Sequence, residues 1–453
     1  MSEKQVTIVG GGLAGSECAL SLARRGVHVK LYEMRPTHSS AAHTSDRLAE
    51  LVCSNSLKST RWDSAAGLLK RELLLMGSEV LPYALAARVP AGGALAVDRD
   101  VFSKLVSEAI ESQTNIELIR EEVTELQQGP AVIAAGPLCS ERLFSWLSQK
   151  LGAQGLSFFD AAAPIVDADS LDRELVFAQS RYADEGTGDY LNCPMNKQEY
   201  ESFVSALIGA KRVQARKFEQ KDLFSACQPI EEVARSGRDS LRFGALKPVG
   251  LTDPRSGRRP WAVVQLRAEN KADTAYNLVG FQTNLTWPEQ RRVFRMIPAL
   301  EKAEFFRYGV MHRNSFVDSP HVLDSSFRIP TTNIRLAGQI TGTEGYTEAI
   351  ASGLFAALNS YAELIGVDEL RLPKTASFGS LVAYASDPST SSYQPMHVNF
   401  GLFPPFEGKK MNKKERYAAY AQRARKDMEA YVASRPELFG DAGGSWPEEN
   451  DLK

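Results

Sequence analysis

A glycine-rich loop near the start of the chain has the spacing that binds a dinucleotide. The motif G-x-G-x-x-G follows a short β-branched run, residues 6–9, and precedes a helical stretch. Gly10 allows a tight turn, Gly12 lets the backbone approach a pyrophosphate, and Gly15 allows close packing of helix and strand. The helix N-terminus then offers unpaired N–H groups to the phosphates. We expect the cofactor to lie against the whole loop: Gly10, Gly11, Gly12, Leu13, Ala14 and Gly15.

Two further positions indicate which dinucleotide binds. Glu33 ends the next strand, where its carboxylate can accept hydrogen bonds from an adenosine ribose and disfavours the 2′-phosphate of NADPH. Gly338 ends a late apolar strand, in Leu-Ala-Gly-Gln, ahead of a helix of small residues. Flavoproteins of this architecture bring a second helix N-terminus to the cofactor at such a point, and an NAD-only dehydrogenase does not need one. The sequence therefore favours FAD over NAD.

Two of the five cysteines have surroundings that suit covalent catalysis. Cys53 lies in Leu-Val-Cys-Ser-Asn-Ser and Cys227 in Ser-Ala-Cys-Gln-Pro, both rich in polar and turn-forming residues. A nearby cation, such as Arg47 or Arg235, would lower the pKa of either thiol if the fold brought it close. The alternative for each is a small buried hydrophobic residue. That second interpretation is the one we expect for the other three cysteines: Cys18, Cys139 and Cys193.

The order of strand and helix signals predicts an α/β protein. We expect a Rossmann-like FAD-binding domain with an inserted α+β domain and a basic helical C-terminal segment. The predicted FAD-binding domain is discontinuous, residues 1–140 and 325–375. The inserted domain covers 141–324, where the βαβ rhythm is lost, and the C-terminal segment covers 376–453. Residues 35–64 show little periodicity and are expected to form a long irregular, functional segment.

Composition narrows the class of protein further. A length of 453 residues predicts two or three domains, and 43% hydrophobic with 24% charged residues excludes a disordered or fibrous chain. No run of about 18 apolar residues occurs, so we expect no membrane partner. The charged start leaves no room for a signal peptide. An odd number of cysteines with no C-x-x-C pair predicts no disulfide framework, no metal site and a cytoplasmic location.

The formal charge of −2 argues at first against nucleic acid as a partner. That total, however, is a sum over unlike regions. Residues 409–426 hold eight Lys and Arg against one acid, and residues 235–259 hold seven against two, whereas the last 18 residues are acidic. Either basic run could be an ordinary solvated face. Both are candidates for a local RNA-binding surface.

Several strings in order resemble the family of bacterial folate- and flavin-dependent tRNA uracil-5 methyltransferases. The resemblance runs from the first strand to beyond residue 425. Its most specific strings are AELVCSNSL (49–57), VPAGGALAVDR (89–99), DYLNCPM (189–195), LVGFQT (278–283), YGVMHRN (308–314) and YQPMHVNFGLFPP (393–405).

The resemblance implies methylation of C5 of a T-loop uridine in tRNA. The carbon donor would be 5,10-methylenetetrahydrofolate, and the reductant FAD reduced by NAD(P)H. It makes Cys53 and Cys227 the catalytic cysteines; we favour Cys227 as the nucleophile at uracil C6, with Cys53 beside the flavin. The RNA-binding residues would be Lys409, Lys410, Lys413, Lys414 and Arg416.

Three alternatives stay open at this point. One is the same flavin and folate chemistry on a ribosomal RNA uridine. Another is a relative of the larger flavoprotein that modifies the wobble uridine, although this chain lacks that protein's helical C-terminal domain. The third is a non-catalytic protein that binds flavin and RNA; the presence of both Cys53 and Cys227 argues against it.

Overall fold

Two sheets with covering helices form the body of the molecule. The computed structural model describes residues 4–40, 42–126, 129–152, 156–181, 188–213, 228–390, 393–407 and 411–452. Its strands are β1 Gln5–Val9, β2 His28–Tyr32, β3 Ser56–Ser59, β4 Arg88–Val89, β5 Ala94–Val97, β6 Ile116–Ile119, β7 Ala131–Ile133, β8 Leu156–Ala161, β9 Ile165–Asp167, β10 Phe177–Ala178, β11 Tyr190–Met195, β12 Ala262–Ala268, β13 Ala275–Leu278, β14 Phe305–Arg307, β15 Met311–Phe316 and β16 Ile334–Leu336.

The helices cover the faces of these sheets. They are α1 Leu13–Arg24, α2 Ala65–Leu75, α3 Leu81–Ala86, α4 Arg99–Glu111, α5 Glu141–Leu151, α6 Lys197–Gly209, α7 Ile230–Arg235, α8 Ser240–Phe243, α9 Trp287–Phe294, α10 Ser319–Val322, α11 Tyr346–Ile365, α12 Ser377–Ala385, α13 Lys413–Ala433 and α14 Pro436–Phe439.

The first sheet is parallel throughout and has the strand order β16-β7-β1-β2-β6. Its central strands read as apolar runs because helices cover both faces, as parallel sheets require. Helix α1 follows β1 at once and packs against α11, which follows β16. A Cβ added at Gly353 of α11 would lie 2.2 Å from the Ala14 carbonyl oxygen of α1, so glycine is what lets these two helices approach.

The second sheet is antiparallel where its strands pair and has the order β10-β11-β12-β13-β9-β14. It has its own hydrophobic core, drawn from residues between 163 and 303. The chain leaves the first sheet after β7, passes through the second sheet, and returns to β16. The antiparallel pair β8 and β15 lies on these two connections.

The C-terminal helix α13 packs against α2 of the first unit. It begins with a capping box, in which the Asn412 side chain accepts from the Glu415 N–H and the Glu415 carboxylate accepts from the Asn412 N–H. In the part of the chain that the structure describes, no helix is both long and apolar enough to cross a membrane.

The predicted fold class is confirmed. Helix α1 begins at Leu13, so that Gly15 lies inside the helix. The segment 35–64 is less irregular than predicted, because β3 forms there and pairs with β5. The exact domain boundaries stay a prediction.

Candidate dinucleotide and cysteine site

The glycine loop is shaped by contacts that exclude side chains at two of its positions. Gly10 has a φ of +103°, and an added Cβ would lie 2.5 Å from the Ala134 carbonyl oxygen. A Cβ at Gly15 would lie 1.8 Å from the carbonyl oxygen of Gly10. Gly12 differs, because no protein atom lies within 4 Å of its added Cβ. Two of these glycines therefore serve chain packing, whereas Gly12 faces open space where a ligand can approach.

That open space is part of a cavity along the carboxyl ends of the parallel strands. Its position suits a dinucleotide cofactor, since ligands of α/β sheets bind outside the carboxyl ends of the strands. The cavity brings together most of the residues that the sequence predicted for the cofactor. Those lining it are Gly10, Gly12, Leu13, Ala14, Glu33 and Gly338.

Glu33 is buried at the centre of a charged network beside this cavity. Its carboxylate accepts a hydrogen bond from the Gly11 N–H at 2.9 Å and from the Arg35 Nε–H at 2.9 Å. Burial alone would raise the pKa of Glu33, but the hydrogen bonds and charge of Arg35 and the Gly11 N–H lower it overall. Arg35 also pairs with Glu50 at 3.1 Å, which fixes the segment that leads to the cysteine. Glu33 is thus held as an anion at the cavity wall.

The second predicted contact, Gly338, lies in a loop that other residues hold in place. Gly338 has a φ of +80°, and its N–H donates to the Ser352 hydroxyl at 2.9 Å. The hydroxyls of Thr341 and Thr343 both donate to its carbonyl oxygen. Helix α11 begins eight residues later at Tyr346, which also lines the cavity. The N-terminus of a second helix therefore also borders the cavity.

Cys53 is tied to this second helix. The Tyr346 hydroxyl accepts hydrogen bonds from the Cys53 N–H at 2.7 Å and from the Ser54 N–H at 3.1 Å. Val52, the residue before Cys53, lines the cavity together with Tyr346. Burial raises the pKa of Tyr346, so its phenol stays neutral at ordinary pH. The half-buried Cys53 therefore sits at the edge of the dinucleotide cavity in a fixed backbone position.

Two arginines lie beside the Cys53 segment, and one of them, Arg99, forms an ion pair with Glu269 at 2.8 Å. The Arg307 guanidinium donates to the Val52 carbonyl oxygen at 3.1 Å, and Arg99 donates to the Leu51 carbonyl oxygen at 3.0 Å. Burial lowers the pKa of Arg307, and the nearby charge of Arg99 lowers it further. A thiolate at Cys53 would relieve that crowding of positive charge. The expected cation Arg47 instead pairs with Asp100 at 3.3 Å.

Several predicted site residues lie outside the described residues. These are Cys227, Lys409 and Lys410. The roles of these three residues therefore stay predictions. Arg235, the cation suggested for Cys227, lies near Glu232 and donates to the Ile208 carbonyl oxygen at 2.6 Å.

The predicted RNA-binding residues that are described form the first turn of α13. Lys413, Lys414 and Arg416 are exposed there. The Lys413 ammonium and the Arg416 guanidinium lie 5.4 and 5.9 Å from the ring centre of Tyr417. Tyr417 itself packs on Phe400. In this turn, positively charged side chains lie next to an aromatic ring. Nucleic-acid-binding surfaces use the same combination.

In the other basic run, residues 235–259, ion pairs between residues of the run neutralise part of the positive charge. Arg242 pairs with Asp239 at 2.9 Å and lies 3.7 Å from the ring centre of Trp261, and Arg255 pairs with Asp253 at 2.9 Å. These contacts favour a structural role for much of this run.

Among the residues whose placement is described, no group of His, Cys, Asp and Glu could hold a metal ion.

Sequence reasoning missed four residues of the site: Arg35, Arg99, Arg307 and Tyr346. Arg99 and Tyr346 had a usable signal, because Arg99 ends the string VPAGGALAVDR and Tyr346 directly precedes the helix of small residues predicted after Gly338. Arg307 directly precedes the string YGVMHRN, and no sequence signal marked it as a site residue. The fold brings it to Cys53 from 254 positions away along the chain, which no local pattern reports.

The fold and cavity define a dinucleotide-binding protein of the Rossmann-like FAD-binding class. The family model described as Glucose inhibited division protein A (GIDA) matches residues 5–368. The structure of Aquifex aeolicus GidA in the form II crystal superimposes with a TM-score of 0.69, covering 99% of this chain and 75% of that one. At 15% sequence identity this likeness shows the fold alone.

Relatives with much higher sequence identity indicate the protein family. A protein of Geobacter sulfurreducens is 54% identical over 433 residues, 95% of this chain and 99% of the relative. Proteins of Acetivibrio thermocellus and Bacillus velezensis are 50% and 48% identical, each over 94% of this chain and 98% of the relative. All three are named methylenetetrahydrofolate--tRNA-(uracil-5-)-methyltransferase TrmFO. The chain belongs to this methyltransferase family.

Proposed function

We propose that the protein methylates C5 of a T-loop uridine in tRNA, in the cytoplasm. The carbon comes from 5,10-methylenetetrahydrofolate, and FAD reduced by NAD(P)H is the reductant. The observation that carries this proposal is the hydrogen bond from Cys53 to Tyr346, which fixes a cysteine at the edge of a dinucleotide cavity. Membership of the methyltransferase family supports the same chemistry.

The cavity residues fit FAD. The Gly12 position leaves room for a pyrophosphate, the N-terminus of α1 faces that room, and Glu33 holds a negative charge at the cavity wall. When bound, the flavin supplies the hydride that reduces the transferred carbon to a methyl group. The protein's part is to place the base and the thiols beside it.

The target atom, uracil C5, is a poor nucleophile until a group adds to C6. A thiolate that adds its electron pair to C6 leaves an enolate, whose C5 bonds to the one-carbon unit. A second group then removes the proton from C5, and the bond between the one-carbon unit and its nitrogen carrier breaks, which leaves an exocyclic methylene at C5 while sulfur stays bonded to C6. Hydride addition to that methylene gives the methyl group, restores the double bond between C5 and C6, and expels the thiolate from C6.

The division of roles between the cysteines is part of the proposal. Cys227 is the nucleophile at C6, and Cys53 assists beside the flavin. Arg307, whose guanidinium lies beside the Cys53 segment, would stabilise a thiolate at Cys53, which suits proton removal from C5 as well as nucleophilic attack. Variants Cys227→Ala and Cys53→Ala, each mixed with tRNA that carries 5-fluorouracil, separate these roles. A persistent covalent complex with Cys227→Ala that is absent with Cys53→Ala would reverse our assignment.

The function is tested with the purified yellow protein, a tRNA transcript, methylenetetrahydrofolate and NAD(P)H. After digestion of the RNA, we expect 5-methyluridine when folate is present and none when S-adenosylmethionine replaces it. A parallel reaction with ribosomal RNA tests the substrate class. Product on ribosomal RNA alone would contradict the tRNA assignment while leaving the chemistry intact.

A further inference from the structure

A column of stacked aromatic rings runs from the second hydrophobic core to the surface. The rings of Phe305 and Tyr308 stack at 5.2 Å with 19° between their planes, and those of Tyr308 and Trp287 at 5.6 Å with 18°. At its inner end Phe305 contacts the buried Phe294. At its outer end Trp287 is 59% exposed. The column therefore ends in the Trp287 ring, which is nearly parallel to the ring of Tyr308 beneath it and is open to solvent.

The backbone around the column is held rigidly. Gln290 of α9 is fully buried, and its side-chain amide donates to the Gly309 carbonyl oxygen at 2.8 Å. Its side-chain oxygen accepts from the Gly309 N–H, also at 2.8 Å. This reciprocal pair fastens the residue after Tyr308 to the helix that carries Trp287. The exposed ring is thus part of a fixed platform.

Positive charge lies beside the platform, and a second exposed ring follows the column's inner residue in the sequence. The exposed Arg291 donates from Nε to the Tyr308 hydroxyl at 2.9 Å, and its guanidinium lies 5.9 Å from that ring's centre. Phe306, between the two column residues along the chain, is 62% exposed. Exposed aromatic rings beside arginine are the elements that bind unpaired nucleotides, since bases stack on the rings and phosphates pair with the cation.

Strand β14 links the column to the cysteine segment along the chain. Phe306 is followed directly by Arg307, which donates to the carbonyl oxygens of Val52 and Ala42. Strand β14 therefore has its exposed ring one residue away from the arginine that contacts the Cys53 segment. A role for this surface in RNA binding therefore requires that nucleotides flanking a target base at Cys53 reach the column's exposed end.

We propose that Trp287, Phe306 and Arg291 form a stacking platform for unpaired RNA bases that flank the target uridine. The proposal rests on the proposed function, because it assumes an RNA loop at the cysteine site. It assigns a task different from that of α13, whose lysines and arginine would bind phosphates of any sequence. Here the occupant is an unpaired base, recognised by its flat face.

The test uses the flavin-loaded protein and two RNAs, a stem-loop with an unpaired loop that holds the target uridine and a fully paired duplex of the same stem. We expect Trp287→Ala to weaken binding of the stem-loop on the order of tenfold and to leave duplex binding unchanged. Trp287→Phe should restore most of the stem-loop affinity, because it keeps a ring. Val101→Ala, at a 39% exposed apolar residue of α4, is the control and should bind both RNAs normally.

Equal affinity of Trp287→Ala and the unsubstituted protein for the stem-loop would overturn the platform. An equal loss for both RNAs would also overturn it, because the loss would not then come from stacking. If the unsubstituted protein binds the stem-loop through Trp287 but forms no 5-methyluridine, the proposed function fails and the platform stands. If it forms 5-methyluridine and Trp287 has no effect, only the platform fails.

Discussion

The Tyr346 hydroxyl accepts the backbone N–H of Cys53 at 2.7 Å, across 293 positions of the sequence. This single bond joins the two segments of the chain that the chemistry needs. Tyr346 opens the second helix that reaches the dinucleotide cavity, and Cys53 carries a candidate catalytic thiol. The same phenol oxygen also accepts the Ser54 N–H, so it holds two neighbouring N–H groups at once. The cysteine's position is therefore set by the cofactor-binding framework.

Replacing Tyr346 with Phe should separate cysteine positioning from cofactor binding. The substitution leaves the N–H groups of Cys53 and Ser54 without their acceptor, at a cost of about 1–3 kcal/mol in local stability. We expect a fall in kcat of at least about tenfold while bound flavin is retained. Steady-state kinetics and the flavin absorbance of the same sample check this. An unchanged kcat would show that the bond does not matter for catalysis.

Two glycines of the loop offer a matched pair of substitutions. Gly12→Ala places its Cβ in open space, so the protein should fold normally yet bind FAD more weakly, because the methyl group occupies room the cofactor needs. Gly15→Ala forces a contact of 1.8 Å with the Gly10 carbonyl oxygen and should lower the stability of the flavin-free protein itself. Thermal melting without flavin and flavin titration distinguish the two effects. Normal flavin affinity in Gly12→Ala would place the pyrophosphate elsewhere.

Much of this site could be predicted from local patterns, and the rest depended on distant contacts. The loop from Gly10 to Gly15 and the anion at Glu33 follow from a strand, a turn and a helix within about thirty residues. Arg307 could not be assigned, because its contact with the Cys53 segment exists only once the second sheet is folded against the first. Arg35 was missed for a different reason, since its pairing with Glu33 and Glu50 gives no periodic signal.

A buried carboxyl should make stability depend on pH. Glu72 of α2 accepts the N–H groups of Ser377 and Phe378, and burial raises its pKa from 4.5 to about 7 despite these bonds. Between these values the unfolded chain releases the proton and the folded chain keeps it, so stability falls as the pH rises from about 4.5 to 7. The full contribution is about 3 kcal/mol.

The variant Glu72→Gln tests this dependence, because glutamine cannot ionise. We expect its unfolding free energy to change less with pH over this window than that of the unsubstituted protein, whatever its absolute stability. Denaturant unfolding at several pH values provides the comparison. Glu17, whose pKa burial also raises to about 7, remains in the variant and keeps part of the slope. Identical slopes for both proteins would remove Glu72 as the source.

Charge reversal at four lysines between residues 409 and 414 should weaken tRNA binding. We expect a variant with Glu at Lys409, Lys410, Lys413 and Lys414 to lose affinity and to show a flatter dependence of affinity on salt. Each phosphate contact makes the slope of log affinity against log salt more negative by about 0.7 on single strands to about 0.9 on B-form DNA. Binding titrations from low to moderate salt measure the slope. A slope equal to that of the unsubstituted protein would make these lysines an ordinary solvated surface.

The central claim is that the methyl carbon passes from folate to uridine at the site shared by the dinucleotide cavity and Cys53. Its most direct test is a reaction with methylenetetrahydrofolate labelled with ¹³C at the methylene, followed by mass analysis of the nucleosides from tRNA. We predict that the label appears in the 5-methyl group of uridine and that Cys53→Ala forms none of this product. Unlabelled 5-methyluridine, or labelled product from Cys53→Ala at the normal rate, would contradict the account.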